Sequence, residues 1–464
     1  MNTHAFLASA ILLAAQAHSA QNPKGNPIRI PPHTPGMEWF EDAKLGIFLH
    51  WGIYAVGQTG ESHPINHPVP KPKPEVYFNF AKDFDARNYD PAKWAETFRK
   101  AGAKYAILTT KHHDGFALWD TRAAGGFDAA DDTPAKRDLI QPFVEAMRAG
   151  GIKPGFYFSI ADWHHPDYAS ISSGMIPSQG RHNKPLSYSE KDDPRRWAEF
   201  LAFRDAQIAE LVKYKPDIWW IDGGWERTPE KWDAKALCES VLAANPGSIF
   251  GRTSFPVPGG LCYATPEQGL PTTTVEGPWE LCMTTSEFWS YRPNFTKQWK
   301  SAPVLARMFS EVIAGSGNLL LNIAPGPDGT LPAEAVNPVL EMGAWIQRNA
   351  EAIYGTIGGE RAGLCYKRFF GPATVSRTGK SLYLFLHDPP KDIVMLRGIV
   401  STPRSATVLS TGEALTVDRL PGNERYPGHM TVSAPQRTDP LTTVIKLDFD
   451  EIIRLGSDAP QHKH

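Results

Sequence analysis

The sequence predicts an α/β protein: a (β/α)8-like barrel over residues 37–358, followed by a C-terminal β-sandwich over 359–464. Three observations carry this. Short apolar, β-prone runs alternate with amphipathic helical patterns from Met37 onward. The runs are apolar throughout, as in a parallel sheet whose outer face is covered by helices, and their number suits a closed barrel. Beyond Gly359 the helical patterns stop and strand-like runs with turn residues between them follow.

In chain order, residues 1–20 read as a secretory signal. The apolar run AFLASAILLAA precedes Ala15-Gln16-Ala17, a small-residue cleavage pattern, and is too short to span a bilayer. MNTHAF carries no Lys or Arg, so a buried N-terminal helix is the competing reading. Residues 21–36 form a Pro-rich arm, NPKGNPIRIPPHTPG, in which proline forbids helix and an extended course over the surface is expected. The barrel then unfolds as LGIFLHW, KWAETFRKAGA, YAILTTK, LIQPFVEAMRAGG and KPGFYFS. RRWAEFLAFRDAQIAELVKY follows, with Trp197, Leu201, Ile208, Leu211 and Val212 at helical spacing. DIWWID, SIFGRTS and NLLLNIAP are later strands. A doubly wound open sheet is the alternative, disfavoured because no Gly-rich phosphate turn follows the first strand. Leu261–Trp289, rich in Pro, Thr and Gly, reads as an irregular loop over the barrel mouth. In the second domain the strands are SLYLFLH, DIVMLRGI, SATVLS, HMTVSAP and TTVIKLDFD, and residues 458–464 are a frayed tail.

The 464 residues carry a net charge of −2 with no basic stripe, which argues against nucleic acid as a partner. No later stretch is apolar enough for a membrane span, so a secreted or periplasmic protein is expected. Cys238, Cys262, Cys282 and Cys365 lack CxxC spacing, which speaks against structural zinc; disulfides are permitted in three pairings. Homo-oligomerisation is left open.

In a parallel barrel the reactive groups collect where the strands end, so the polar residues following each apolar run are the candidates. His50 and Trp51 end the first run, Lys111, His112, His113 and Asp114 the second, and Asp222 with Gly223 ends DIWWI. A carboxylate beyond Trp219 and Trp220 suits a nucleophile in a sugar site, since sugar rings stack on aromatic faces. Asp217 precedes the same run and belongs to the stabilising end of the strand. A glycosidase needs a second carboxyl group, and Glu267, Glu276 and Glu280 compete for that role. Two other classes remain on residue types alone. A metal-dependent hydrolase could draw ligands from His50, His112, His113, Asp114 and Asp222, although adjacent residues on one strand face opposite sides. A non-catalytic carbohydrate-binding protein on the same barrel is the second.

Seven segments in the right order resemble the family 29 α-L-fucosidases: EWFEDAKLGIFLHWGIY, YAILTTKHHDGFALWDT, KPGFYFSIADWHHPDY, YKPDIWWIDG, TPEQGLP, WELCMTTSEFWSY and GSGNLLLNIAPGPDGTLP. The resemblance implies a barrel with a β-sandwich and retaining exo-hydrolysis of terminal α-L-fucosyl residues from glycans through a covalent intermediate, with no metal or organic cofactor. Fucosylated oligosaccharides or glycoconjugates are the implied partners. By position Asp222 resembles the nucleophile and Glu267 the acid/base, with Glu280 in reserve. His50, His112 and His113 match groups that hydrogen-bond fucose, Trp51 and Tyr157 match pocket walls, and Arg252 matches the arginine beside the nucleophile. Glu61 and Trp289 join the substrate-binding set. Two departures stand out: Glu61-Ser62-His63, where many members have Trp after Glu-Ser, and Ser290, where Gly is usual.

Overall fold

The computed structural model describes residues 25–66, 71–168, 193–364, 368–420 and 428–456. The signal reading of residues 1–20, the 458–464 tail and Cys365 lie outside them. Eight strands form one parallel sheet: β1 (Leu45–Leu49), β2 (Tyr105–Lys111), β3 (Lys153–Ser159), β4 (Ile218–Asp222), β5 (Ile249–Gly251), β6 (Cys262–Tyr263), β7 (Glu280–Thr284) and β8 (Asn318–Asn322). The order is β7-β8-β1-β2-β3-β4-β5-β6. Bridges Ala264 to Trp279 and Glu267 to Cys282 join the two ends, so the barrel closes. This is the predicted (β/α)8 architecture.

α1 (Glu38–Ala43) packs Phe40 and Ala43 into the barrel interior, and the other helices are α2 (Pro74–Asn79), α3 (Pro91–Lys100), α4 (Ile140–Ala149), α5 (Pro194–Leu211), α6 (Ala234–Ala244), α7 (Ala302–Ala314) and α8 (Ala333–Arg348). Asp90 caps α3 by accepting the Lys93 amide at 3.1 Å, and Asp193 caps α5 through the Arg195 amide; a proline follows each cap. Both start sites combine a carboxylate acceptor with a residue that has no N–H to satisfy.

Period-two alternation divides the barrel strands into two cores. Leu45, Ile47 and Leu49, Trp219 and Ile221, and Leu319 and Leu321 face the helices. Phe48, Tyr105, Ile107, Tyr157, Ile218, Trp220, Tyr263, Cys282 and Leu320 fill the interior. Two elements depart from expectation. The irregular stretch Leu261–Trp289 contains β6, of two residues, and β7, which opens on the acid Glu280. The arm is not simply laid on the surface: Asn26–Pro27 pairs antiparallel with Arg454–Leu455, and Ile28 is buried in the sandwich core.

The second domain packs two antiparallel sheets around its own core. β9 (Thr356–Gly358), β10 (Ala373–Ser376), β11 (Ser381–Leu386), β13 (Ser405–Val408), β14 (Ala414–Leu415) and β17 (Thr443–Asp448) form one; β12 (Ile393–Arg397), β15 (Val417–Leu420) and β16 (His429–Ser433) form the other. β9, at the expected junction of the two parts, pairs with β10. Among the described residues no helix is long and apolar enough to cross a membrane.

Candidate active site

The C-terminal strand ends enclose a cavity of about 150 Å³. Its lining includes His50, Glu61, His63, His112, His113, Tyr157, Trp220, Asp222, Trp225, Arg252, Glu267 and Trp289. Asp222 arrives there because it continues the inward row of Ile218 and Trp220, level with Ser159 of β3. Its Oδ2 accepts from the Tyr157 hydroxyl at 2.9 Å. Among the described residues its buried Oδ1 has no hydrogen-bond partner, and Arg252 Nε stands 3.6 Å from it. Burial pushes this carboxyl up, but Arg252, His113 and Tyr157 more than offset the effect and hold it below the usual carboxylate value.

Arg252 lies just past β5 in the left-handed backbone region, with φ of 58°. Its Nη2 donates to Glu267 Oε2 at 2.7 Å, so one guanidinium reaches both carboxyl groups. Glu267 comes from the segment between β6 and β7, about a third exposed.

Three neutral histidines surround this pair. His50 Nδ1 donates to Asn322 Oδ1 at 2.8 Å, an orientation fixed because Asn322 Nδ2 donates to the Trp289 carbonyl. His113 Nδ1 pairs with Ser159 Oγ at 2.5 Å, whose hydroxyl in turn donates to the Ala161 carbonyl. Both rings therefore turn an unprotonated Nε2 toward the cavity. His113 Nε2 stands 3.7 Å from Asp222 Oδ2. Burial pushes His50 down to about 4 and His113 down to about 3. His112 pairs with Ser62 Oγ at 2.6 Å and stacks on Tyr157 with centroids 5.1 Å apart. Burial, then the neighbouring histidines, drive it well below its ordinary value.

His112 and His113 both face the cavity, contrary to the expectation of opposite faces. The strand ends at Lys111 after an irregular register between Thr109 and Lys111, and alternation ends with it. Asp114 turns away, accepting from Tyr77 at 2.7 Å, and is not a cavity residue. The proposed ligand set for a metal does not converge; among the described residues the grouping able to hold an ion is Asp120, Asp128 and Asp131, elsewhere on the surface of the barrel domain.

Two expected site residues lie outside the cavity. Trp51 belongs to the outward row of β1 with Ile47 and Leu49; it packs on Phe84, Tyr89 and Trp94, and its Nε1 donates to the Gly326 carbonyl. Glu280 opens β7 instead of standing in a loop, and it is fully buried in the barrel floor, two residues below Cys282 on the inward row. It does not line the cavity.

Glu61 and Trp289 do line the cavity, and Trp289 packs on His50 at 5.0 Å. Burial raises the Glu61 carboxyl despite His63, Ser290 and Arg292. Ser290 bonds the Thr59 carbonyl at 2.7 Å, tying the Trp289 segment to the loop that carries Glu61. His63, at the exposed rim, sits edge-on to Trp163 and His113. Sequence reasoning missed Trp225, whose buried indole N–H has no hydrogen-bond partner among the described residues and whose ring stands edge-on to His113. An aromatic three residues past the strand-end Asp was the available signal.

The family model for alpha-L-fucosidase matches residues 11–351. Human tissue alpha-L-fucosidase is 27% identical over 81% of this chain and 82% of its own. Among solved structures, alpha-L-fucosidase isoenzyme 1 from Paenibacillus thiaminolyticus superposes with a TM-score of 0.76 and 31% identity, covering 90% of this chain and 99% of that one. A GH29 alpha-L-fucosidase from Bacteroides thetaiotaomicron, a trapped covalent intermediate in complex with 2-fluoro-fucosyl fluoride, superposes at 0.74 with 26% identity over 91% and 98%. A match running through the whole barrel, with the strand-end residues gathered in one cavity, makes this chain a glycoside hydrolase belonging to the α-L-fucosidase family, family 29.

Proposed function

We propose that the chain removes terminal α-L-fucosyl residues from glycans with retention, through a covalent fucosyl-enzyme in which Asp222 is the nucleophile. The carrying observation is the Asp222 carboxylate itself. One oxygen is held by Tyr157, the other lacks a hydrogen bond among the described residues, and the group stays ionised beside Arg252 in the cavity at the strand ends. The trapped covalent intermediate of the Bacteroides relative supports the same route.

In the first step Asp222 attacks the anomeric carbon while the bond to the aglycone oxygen breaks and Glu267 delivers its proton to that oxygen. In the second, Glu267 takes a proton from water, which attacks the anomeric carbon and releases Asp222. Glu267 carries its proton on Oε1 while Oε2 accepts from Arg252 Nη2, so the guanidinium stays between the two carboxyl groups. His50 and His113 accept from sugar hydroxyls through Nε2, and the Trp225 indole donates. Buried groups of fixed polarity reject epimers that leave them unpaired. Fucosylated oligosaccharides or glycoconjugates outside the cytoplasm, secreted or periplasmic, are the proposed setting, which the N-terminal AFLASAILLAA run supports.

The test is hydrolysis of 4-nitrophenyl α-L-fucoside by wild type, Asp222→Ala, Glu267→Ala and Glu280→Ala, with azide rescue and NMR of the anomeric product. Asp222→Ala is expected to lose at least about a thousandfold in kcat and to yield β-fucosyl azide. Glu267→Ala yields the α-azide, and Glu280→Ala yields neither. A wild type that binds fucose and turns over no fucoside would leave a binding protein on the same barrel.

A further inference from the structure

Glu280 is a carboxyl group that this mechanism does not use, placed where an apolar side chain would fill the space at lower cost. It is 0% exposed, and among the described residues no ion pair reaches it. The groups facing it are polar heads from three other strands. Tyr105 of β2 donates to Oε2 at 2.5 Å and Trp220 of β4 donates to Oε1 at 3.1 Å. The Tyr263 phenol of β6 lies beside the same carboxyl without a well-formed bond, and Cys282 follows on β7. Burial pushes the Glu280 carboxyl up to about 7, with Tyr105, Trp220 and Tyr263 pulling the other way.

What Glu280 holds is the platform under the nucleophile. The Trp220 ring stacks on Tyr157 with centroids 5.5 Å apart and planes at 24°, and Tyr157 is the hydrogen-bond donor to Asp222. The Arg252 guanidinium lies 5.4 Å from the same ring. An indole N–H only donates, so the ring keeps its orientation by finding an acceptor beneath it. A carboxylate acceptor also pushes electron density into the indole, which strengthens its hold on a cation at its face.

We propose that Glu280 is a positioning residue: from the barrel floor it orients and polarises Trp220, and through that ring it sets Tyr157 and Arg252 against Asp222. This rests on Asp222 being the nucleophile, and its test includes a readout that needs no turnover. Glu280→Gln keeps the volume and an acceptor but removes the charge. Trp220→Phe keeps the ring and removes the N–H.

Each variant is expected to lower kcat by about ten- to a hundredfold with KM little changed and to move the acid limb of the kcat–pH profile upward. The double variant is expected to be no worse than the poorer single one, because both break one chain of contacts. In wild type the Trp220 indole N–H resonance, identified by its loss in Trp220→Phe, shifts with pH near neutrality; in Glu280→Gln it does not. A Trp220 resonance at the same position in wild type and Glu280→Gln overturns the proposal by itself. So does a Glu280→Gln enzyme with wild-type kcat and pH profile, or a double variant whose losses multiply. Should Glu280→Gln fail to fold, as calorimetry would report, Trp220→Phe carries the same kcat and pH test. Absence of wild-type turnover on any fucoside would instead overturn the proposed function, and the resonance still judges the contact.

Discussion

Tyr157 and Arg252 divide the two oxygens of Asp222 between them, and each works against the burial that would otherwise protonate it. Asp222 has a lowered pKa, so its ionised form persists above that value and is lost as pH falls through it. Tyr157→Phe removes a stabilising donor, raises the carboxyl, and is expected to shift the acid limb of kcat/KM upward while lowering kcat about tenfold or more; a pH–rate series checks this. The two tryptophans assigned to the pocket separate cleanly. Trp289→Ala is expected to raise KM by removing a wall packed on His50. Trp51→Phe leaves KM nearly unchanged and lowers the thermal midpoint, because it loses the bond to the Gly326 carbonyl inside an apolar cluster. Steady-state kinetics beside a thermal melt would tell them apart; a KM rise in Trp51→Phe would contradict the outward placement. Both sit near strand-end motifs, and sequence position alone did not distinguish them. Alternation from Phe48 and His50 did carry the answer for Trp51.

At the scale of elements, the strands that show most clearly in the sequence are those with an unbroken apolar run, such as YAIL in β2 and IWWI in β4. β6 and β7 escaped because β6 has two residues and β7 begins with an acid, Glu280. Reading β7 as loop is what placed Glu280 among the carboxyl groups at the mouth. A residue on a loop is free to reach the mouth, whereas the first residue of an inward row is fixed at the floor. The helix layer imposes its own limit. Gly343 of α8 lies so close to the end of α3 that a Cβ would meet the Lys100 carbonyl oxygen at 2.5 Å and Ala101 Cα at 2.6 Å. Backbone atoms cannot rotate aside, so Gly343→Ala is expected to destabilise by about 1–3 kcal/mol with KM unchanged. Urea unfolding measures it, and an unchanged midpoint would mean that the two helices can separate freely.

For the whole molecule, the two domains share contacts that the chain order does not announce. Trp345 of α8 donates to the Thr442 carbonyl beside β17, and the arm at Asn26–Pro27 adds an edge to Arg454–Leu455. The site in turn shapes stability against acid. His50 and His113 have folded values of about 4 and about 3 against an ordinary 6.5, because burial disfavours their charged forms. A base with a depressed folded pKa contributes stability above its unfolded value and loses it as pH falls toward the folded one. Each of these two histidines should therefore withdraw up to about 1.4 kcal/mol per pH unit between pH 6.5 and 4, while Glu280 and Asp114, both raised to about 7 by burial, gain stability over the same range and oppose the loss. Urea midpoints taken stepwise through this range, for wild type and His113→Gln, check the slope; the variant should fall less steeply.

The sequence by itself determined the barrel, the sandwich, and the identity of most residues at the mouth. Apolar period and strand-end polarity are local properties, and HWG, KHHDGF and WWID display them without help from the fold. Only the tertiary structure decided depth and partnership: that Trp51 faces the helices, that Glu280 lies under Trp220, that Trp225 enters the cavity, and that Arg252 reaches both Asp222 and Glu267. The reason is geometric. A strand-end motif says that a side chain is near the mouth, but whether it reaches the cavity depends on which face it takes and how far along its strand it stands. The segment between β6 and β7 takes its course from the barrel it closes, through bridges that pair residues distant in sequence.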